Sequence, residues 1–486
     1  MVQTKSTIPC TPNLFLSLIP LLTLVVMLTG SIWMFGEDSL GGPNQISLLM
    51  ATAVSLCISI GVYRVRWRDV QATLAETIGN SSVSIVILLL IGMMSGAWMI
   101  SGAVPTLIYY GVQVLSPMFF LLCTCVICAF VSVMTGSSWT TIATIGVALL
   151  GIGDALGIEN AWTAGAIISG AYFGDKISPL SDTTVLASNA ADVDVFVHIR
   201  YMMRTTIPTF LITLVVFFVA GCIMGRDGRP DVSVYTQGLA ATFNITPWTL
   251  VVPVLTAVLI VKRVPALVTL FLSAIAAGIV AIILQPEIVA GIAGREEVTP
   301  TALVRGLVIT FCSSTHVDAH NAALNDLIAT RGMGGMLDTV WLILCAMCFG
   351  GAMTGTGMLQ SIVSSIARVV RGKTTLVSCT AATGIGLNLM TSDQYMSIVL
   401  TGNMYRDVYR RMGFEGRLLS RTTEDSTTVT SVLIPWNTCG LTQATVLGVA
   451  TLTYLPYCVF NYLSPVVTVL VSWLMPRSGT LAKADE

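Results

Sequence analysis

Charge is what this chain has least of. Only 10% of its 486 residues are Asp, Glu, Lys or Arg, the net charge is −1, and there are three histidines. No basic face exists to hold a nucleic acid. No Pro-, Gly- or Ser-rich linker, charge block or low-complexity tract divides the chain, which reads as one domain over residues 1–486. A glycine-rich phosphate loop, a nucleophile elbow and a His–Glu zinc pattern are all missing. The expectation is therefore a protein that is not an enzyme and has no bound cofactor. Cysteine is not scarce, at twelve, but CTCVIC at Cys123–Cys128 and CAMC at Cys345–Cys348 lie in apolar runs without His or carboxylate partners. There cysteine acts as a small hydrophobe rather than a metal ligand or disulfide partner. His316 and His320, in THVDAHNA, have a spacing that could hold a metal on a helix. With Asp318, Asn321 and Asn325 beside them, they read instead as a polar surface or gating segment.

What is present is apolar length. Hydrophobic residues make up 54% of the chain, and the mean hydropathy is +0.83. Spanning a hydrocarbon core about 30 Å thick takes about 20 apolar residues. Segments near that length occur at Leu14–Phe35, Ile46–Val62, Val83–Ile100, Met118–Met134, Ile207–Met224, Trp248–Val261, Ala266–Leu284, Thr339–Met358 and Thr451–Met475. Together with polar segments that enter the bilayer, they predict roughly ten to thirteen membrane-entering elements. The first reads as a retained span rather than a cleaved signal peptide. Arg64, Arg66 and Arg68 follow the second span, Arg368, Arg371 and Lys373 form a second cluster, and Arg406–Arg421 supply a third, whereas Glu37 and Asp38 have no base near them. The bias of Lys and Arg toward the cytoplasm predicts an N-terminus inside the cell.

Two polar regions interrupt this background. SGAYFGDKISPLSDTTVLAS at Ser169–Ser188 follows TGSSWTTIATIG at Thr135–Gly146, and EDSTTVTSVLIPWNTCG at Glu424–Gly440 follows TSDQYMSIVLTG at Thr391–Gly402. Thr135 aligns with Thr391 and Trp139 with Tyr395, and SDTTV at Ser181–Val185 resembles EDSTTV at Glu424–Val429. Paired polar interruptions in corresponding places are the signature of a transporter built from inverted repeats, with approximate halves 70–225 and 300–475. Pro179 and Pro435 break their helices, and Gly170 and Gly174 are expected to loosen the chain. Broken helices free backbone groups for a ligand. Acids inside spans are functional candidates, which makes Asp182 and Asp425 the expected Na+ and proton site, facing one cavity. Thr183, Thr184, Ser426 and Thr427 would complete an oxygen shell suited to a hard cation, with Ser137, Ser138 and Asp393 nearby. Asp175 and Lys176 form a candidate charge pair. Asn189, Asn437 and Thr438 are candidate contacts for an organic substrate.

The runs GVALLGIGDALGI, TAGAIISGAYFGDKISPLSDTT, TSDQY and LSRTTEDSTTVTS, in that order over nearly the whole chain, are similar to the NhaC-type Na+/H+ antiporters of the ion transporter superfamily. The resemblance implies an all-α polytopic protein of the bacterial cytoplasmic membrane, with two inverted-topology repeats, re-entrant hairpins and broken transmembrane helices. It also implies Na+ and H+ as transported ions. Family members that exchange malate and lactate keep a small organic carboxylate or an amino acid open as substrate, and a homodimer is open too. The chain departs from the family pattern at Val185, where Asn is usual, at Ser188 or Asn189 and Val432, where Pro is usual, and at Thr354, where an acid is usual. Asn189 and Gln443 add polar groups to the pattern.

Overall fold

The computed structural model describes residues 12–35, 41–224, 233–295, 297–319, 322–367, 370–475 and 479. His320, Asn321, Glu37, Asp38 and Arg368 lie outside them. The described residues fold into helices joined by short turns, with no named strand. In a bilayer this is the expected economy, because a helix satisfies its own backbone hydrogen bonds.

The chain begins with α1 (Leu14–Phe35), α2 (Pro43–Gly61) and α3 (Trp67–Asn80). A unit follows: α4 (Ser82–Ile100), α5 (Ala103–Val114), α6 (Pro117–Thr135), then α7 (Ser138–Thr141), which runs through a π-turn at Ile142–Gly146 into α8 (Val147–Ala155). Next come α9 (Asn160–Ile177), α10 (Asp182–Ala190) and the long α11 (Val195–Met224). The middle of the chain holds α12 (Ser233–Thr242), α13 (Val251–Val261), α14 (Ala266–Leu284), α15 (Pro286–Ile292), α16 (Pro300–Cys312) and α17 (Ala322–Ile328). The last stretch comprises α18 (Leu337–Gly355), α19 (Met358–Ala367), α20 (Lys373–Thr391), α21 (Gln394–Arg411), α22 (Gly416–Thr423), α23 (Thr438–Leu447), α24 (Thr451–Tyr454) and α25 (Val459–Leu474).

Eight helices among the described residues are long and apolar enough to cross a membrane, or up to ten if each of two sharply bent pairs is one span. That is fewer than the upper end of the sequence expectation. The pairs bent by 89° around residues 242–247 and by 57° at Cys458 account for the apolar runs expected at Trp248–Val261 and Thr451–Met475. Large apolar side chains such as Phe15, Val215, Ile283 and Val466 point outward, as lipid-facing positions of spanning helices do.

Two stretches share one register. Helices α4, α6 and α9 start at 82, 117 and 160, and α18, α20 and α22 start at 337, 373 and 416. The turn after α6 and the turn after α20 are superposable in kind. Gly136 and Ser392 both have left-handed backbone (φ 64° and 59°). Ser137 and Asp393 are both extended N-caps, whose side chains accept from Thr140 N and Met396 N. Thr135 Oγ1 accepts from Ser137 N at 3.1 Å and Thr391 Oγ1 from Asp393 N at 3.3 Å. Each turn therefore closes a hairpin whose arms run α6–α8 and α20–α21.

The same register relates the two breaks. α9 ends at Ile177 and restarts as α10 after Pro179, with Ser181 as N-cap. The segment that starts with α22 ends at Leu433 and restarts as α23 after Pro435, with Asn437 as N-cap. This corrects the sequence alignment of SDTTV with EDSTTV. By caps and prolines Ser181 matches Asn437 and Asp182 matches Thr438, while EDSTTV lies before its break, opposite the Ser169 region of α9. Likeness of letters misled because both segments are rich in acids and hydroxyls, whereas the register is set by the prolines and the capping residues.

Gly170 and Gly174 do not loosen the chain, as expected from sequence, but serve close packing. A Cβ at Gly170 would strike the carbonyl of Cys125, and one at Gly174 the carbonyl of Ala129 and, at 2.6 Å, the Cβ of Ser132. Small residues spaced four apart let α9 lie directly on α6, and Ser132 Oγ bonds across to Ala171 O at 2.6 Å.

Candidate functional site

The second broken segment carries the charge. α22 continues through a π-turn at Glu424–Thr428 before it breaks. π-turns inside helices are frequent at functional sites because the extra residue shifts the side chains out of the regular ladder. Glu424 and Asp425 are both fully buried here, and so are Ser426 and Thr427.

Asp425 is met from three sides. Lys176 from α9, itself fully buried, forms an ion pair with Asp425 Oδ1. Thr205 from α11 donates to Oδ2 at 2.7 Å, and Arg421, one turn earlier on the same helix, brings its Nε to 3.8 Å. Lys176 is held by a second bond, donating to Ser464 Oγ on α25 at 3.0 Å, and its ammonium lies 5.4 Å from the centre of the Phe460 ring. Four helices thus converge on one carboxylate. A buried charge is tolerable only when paired and hydrogen-bonded, and this arrangement meets that condition.

Glu424 faces the other way. Its Oε1 accepts from Thr183 Oγ1 at 3.3 Å, and Thr183 shares a 2.9 Å bond with Ser181 Oγ. Among the described residues its Oε2 has no hydrogen-bond partner, and the hydroxyls of Thr423 and Thr427 have none either. Asn388 reaches the same turn, donating to Thr427 O at 2.6 Å. Buried oxygens without partners beside a carboxylate are the donor set that a hard cation selects.

A cavity of about 540 Å³ lies on the Thr183 side. Both hairpin turns reach it, through Thr135 and Ser138 on one and Gln394 on the other, and it is also lined by Asp175, Asp182 and Thr183. Ser138 Oγ donates to Asp175 Oδ2 at 2.7 Å. Thr183 lines the cavity and touches Glu424, so the chain of side chains from open space to the buried acids is Asp182, Thr183, Glu424.

The residues expected from sequence are therefore divided. Asp182 is exposed and lines the cavity, whereas Asp425 is sealed behind it. The two acids do not share a cavity. The expected pair of Asp175 with Lys176 is also corrected: Lys176 reaches Asp425, and Asp175 takes its bond from Ser138. Consecutive residues on a helix do not face each other, so neighbours in sequence had to find separate partners. Thr184 is occupied by the carbonyl of Lys176 at 3.0 Å, and Ser426 by that of Thr422 at 2.5 Å. Asp393 and Ser137 serve as N-caps. Asn437 is an N-cap as well, accepting from Cys439 N at 3.1 Å, and Thr438 Oγ1 lies 3.5 Å from Asp393 Oδ2. Asn189 is exposed, and its carbonyl accepts from Arg406.

Sequence reasoning left three contributors out of the site: Glu424, Thr205 and Arg421. Glu424 carries the signal of an acid in a span. Thr205 shows none, because a hydroxyl on an apolar helix usually bonds back to its own turn.

Comparison with known proteins places the chain in a family. The sequence profile of the Na+/H+ antiporter family matches residues 4–194 and 170–474. The Na+/H+ antiporter NhaC of Bacillus subtilis is 35% identical over 434 residues, covering 89% of this chain and 92% of that protein. The malate-2H+/Na+-lactate antiporter of the same organism is 34% identical, with 87% of each chain covered. The arginine/ornithine antiporter ArcD of Halobacterium salinarum is 34% identical, covering 95% of this chain and 92% of its own. With the profile spanning most of its length and relatives above 30% identity over nearly all of it, this chain belongs to the Na+/H+ antiporter family.

Proposed function

We propose that the protein is a secondary transporter that exchanges Na+ for H+ across the bacterial cytoplasmic membrane. The observation that carries this reading is the sealed Lys176–Asp425 pair with Glu424 beside it. An anion buried in a low-dielectric interior must keep a counter-ion, since leaving it unpaired costs several kcal/mol. The Lys176 ammonium is one counter-ion and Na+ is another. If Na+ enters among Glu424, Asp425 and the hydroxyls of the π-turn, the added positive charge expels a proton from the site, and a returning proton displaces Na+. Each ion can leave only as the other arrives, which is the coupling that an exchanger needs.

Orientation follows from the basic residues. α21 ends on Arg410 and Arg411, and Arg371 precedes α20, so the second hairpin opens on a basic face. The matching positions of the first hairpin are Leu115, Asp154 and Ala155. By the positive-inside bias these ends belong on opposite sides of the membrane. We read α4–α11 and α18–α25 as two inverted repeats, a tighter division than the halves 70–225 and 300–475. The N-terminus lies inside, and the cavity, flanked by Arg263 at the α13–α14 turn, opens to the cytoplasm.

A second reading is favoured by the cavity itself. Its volume far exceeds what a single ion needs, and Asp182 and Arg263 line it together, giving a zwitterion such as an amino acid opposite charges to meet. The relatives named for organic exchange are as similar to the chain as the Na+/H+ antiporter is. Proteoliposomes with a trapped pH dye decide between the two. A Na+ pulse alone moves protons under the first reading, whereas under the second the dye responds only when a dicarboxylate, lactate or amino acid is also supplied.

A further inference from the structure

The cavity gives Na+ a route to the acids, but Lys176 lies on their far side, against α25. That helix presents Ser464, Thr468 and Ser472 at successive turns of one face, all at most 1% exposed. Ser464 accepts the bond from Lys176, while Thr468 Oγ1 and Ser472 Oγ have no partner among the described residues. The neighbouring α11 shows what a merely structural hydroxyl does in this interior: Thr209 and Thr213 each donate to the carbonyl four residues back, at 2.8 Å. Thr468 and Ser472 make no such bond. A second, independent set of unsatisfied groups belongs to the same bundle: Nε and Nη2 of Arg421 make no hydrogen bond among the described residues, although the side chain is 1% exposed. Below Ser472, at the end of the helix, Lys373 Nζ donates to Met475 O at 2.6 Å.

We propose that Ser464, Thr468 and Ser472 line a proton path from the Met475 end of α25 to Lys176, separate from the cavity through which Na+ arrives. The proposal rests on the exchange reading above. The spacing suits the task. Residues four apart on a helix are about 6 Å apart along the axis, and two O–H···O bonds of about 2.8 Å in line cover that distance, so one water fits between each pair of hydroxyls. Each hydroxyl accepts a proton from one neighbour and releases its own to the next. The path ends at the Lys176–Asp425 pair, where an arriving proton and Na+ replace each other. The guanidinium of Arg421 stays charged throughout, so it carries no proton along the path. Separate entrances also explain how two ions that repel each other reach adjacent groups.

The test compares two transport modes of the full-length protein in proteoliposomes. Na+-driven proton movement needs the path, whereas exchange of labelled for unlabelled Na+ across the membrane does not. The doubly substituted Thr468→Val, Ser472→Ala protein should lose proton movement on the order of tenfold or more while Na+-for-Na+ exchange stays as in the unsubstituted protein. Thr468→Ser, which keeps the hydroxyl, should restore most of the rate. Thr213→Val on α11 should change neither mode. An equal fall in both modes, or no fall in proton movement, overturns the path and leaves the exchange reading standing. Absence of both modes from the unsubstituted protein would overturn the exchange reading, and the path with it.

Discussion

The two hairpin-and-break units use nearly the same backbone for different chemistry. Thr135 and Thr391 close the same turn, Ser137 and Asp393 cap the same helix start, and Pro179 and Pro435 break the same long helix. Chemistry enters where the side chains diverge. Asp175 and Lys176, just before the first break, match Ser431 and Val432 before the second, while Asp425 and Glu424 match Ser169 and Ile168. Each unit supplies one member of the Lys176–Asp425 pair, and the second unit adds Arg421 at 3.8 Å on the other carboxylate oxygen. In the proposed exchange, a repeat that keeps its fold but divides a charge pair with its partner makes the interface between the units the place where ion occupancy is read. Movement of one unit against the other must then alter the Lys176–Asp425 contact.

The largest effect should come from breaking that division. Asp425→Asn leaves the Lys176 ammonium buried without a counter-ion, which costs about 3–5 kcal/mol, and should abolish Na+-driven proton movement. Thermal unfolding in detergent should show the single variant destabilised, and the double variant Lys176→Met, Asp425→Asn less so, with transport absent in both. Equal stability of the single and double variants would mean that the pair is not the buried contact described.

Exchanging the hairpin turns sharpens the comparison at a smaller scale. Ser392 holds a left-handed backbone where the first turn has Gly136, yet the two are not interchangeable. A Cβ at Gly136 would lie 2.7 Å from the backbone carbon of Leu180, so one of the two backbones must shift. Gly136→Ser should therefore cost about 1–3 kcal/mol, as overpacking does, and displace the α9–α10 break. Ser392→Gly relieves a left-handed non-glycine residue and should leave stability within about 1 kcal/mol of the starting protein. Denaturation midpoints of the two variants measure the contrast directly.

The smallest effects lie where the units differ in how the restarted helix is anchored. Arg406 binds the carbonyls of Asn189 and Ala190 at the end of α10, with Nε 2.9 Å from Ala190 O, and the matching position of the first hairpin is Leu150. Arg406→Ala should cost about 0.5–1.5 kcal/mol, the usual net value of a hydrogen bond, because the guanidinium is only partly buried. It should also raise proteolytic access to residues 189–194. Arg410 pairs with Asp192 at 2.7 Å, but both side chains are more than half exposed, so Arg410→Ala should change stability by less than about 1 kcal/mol.

Much of this was legible in the sequence. Apolar run lengths gave the spans, and the acids inside them marked Asp182 and Asp425. The match of Thr135 with Thr391 is carried by turn chemistry that survives in the backbone. Three things were not legible. The partner of Lys176 lies across the fold, and its nearest acid in sequence, Asp175, points elsewhere because adjacent helical residues diverge. The π-turn that buries Glu424 together with Asp425 has no residue signature, since every residue in it is compatible with an ordinary helix. The alignment of SDTTV with EDSTTV failed because composition was similar where register was not.

The central claim is that Na+ and the proton compete for one buried charge pair. Calorimetric titration of the detergent-purified protein with Na+, repeated in buffers of different ionisation enthalpy, counts the protons released per Na+ bound. The account predicts proton release in proportion to Na+ binding, lost in Asp425→Asn. Na+ binding with no proton release in any buffer would contradict it.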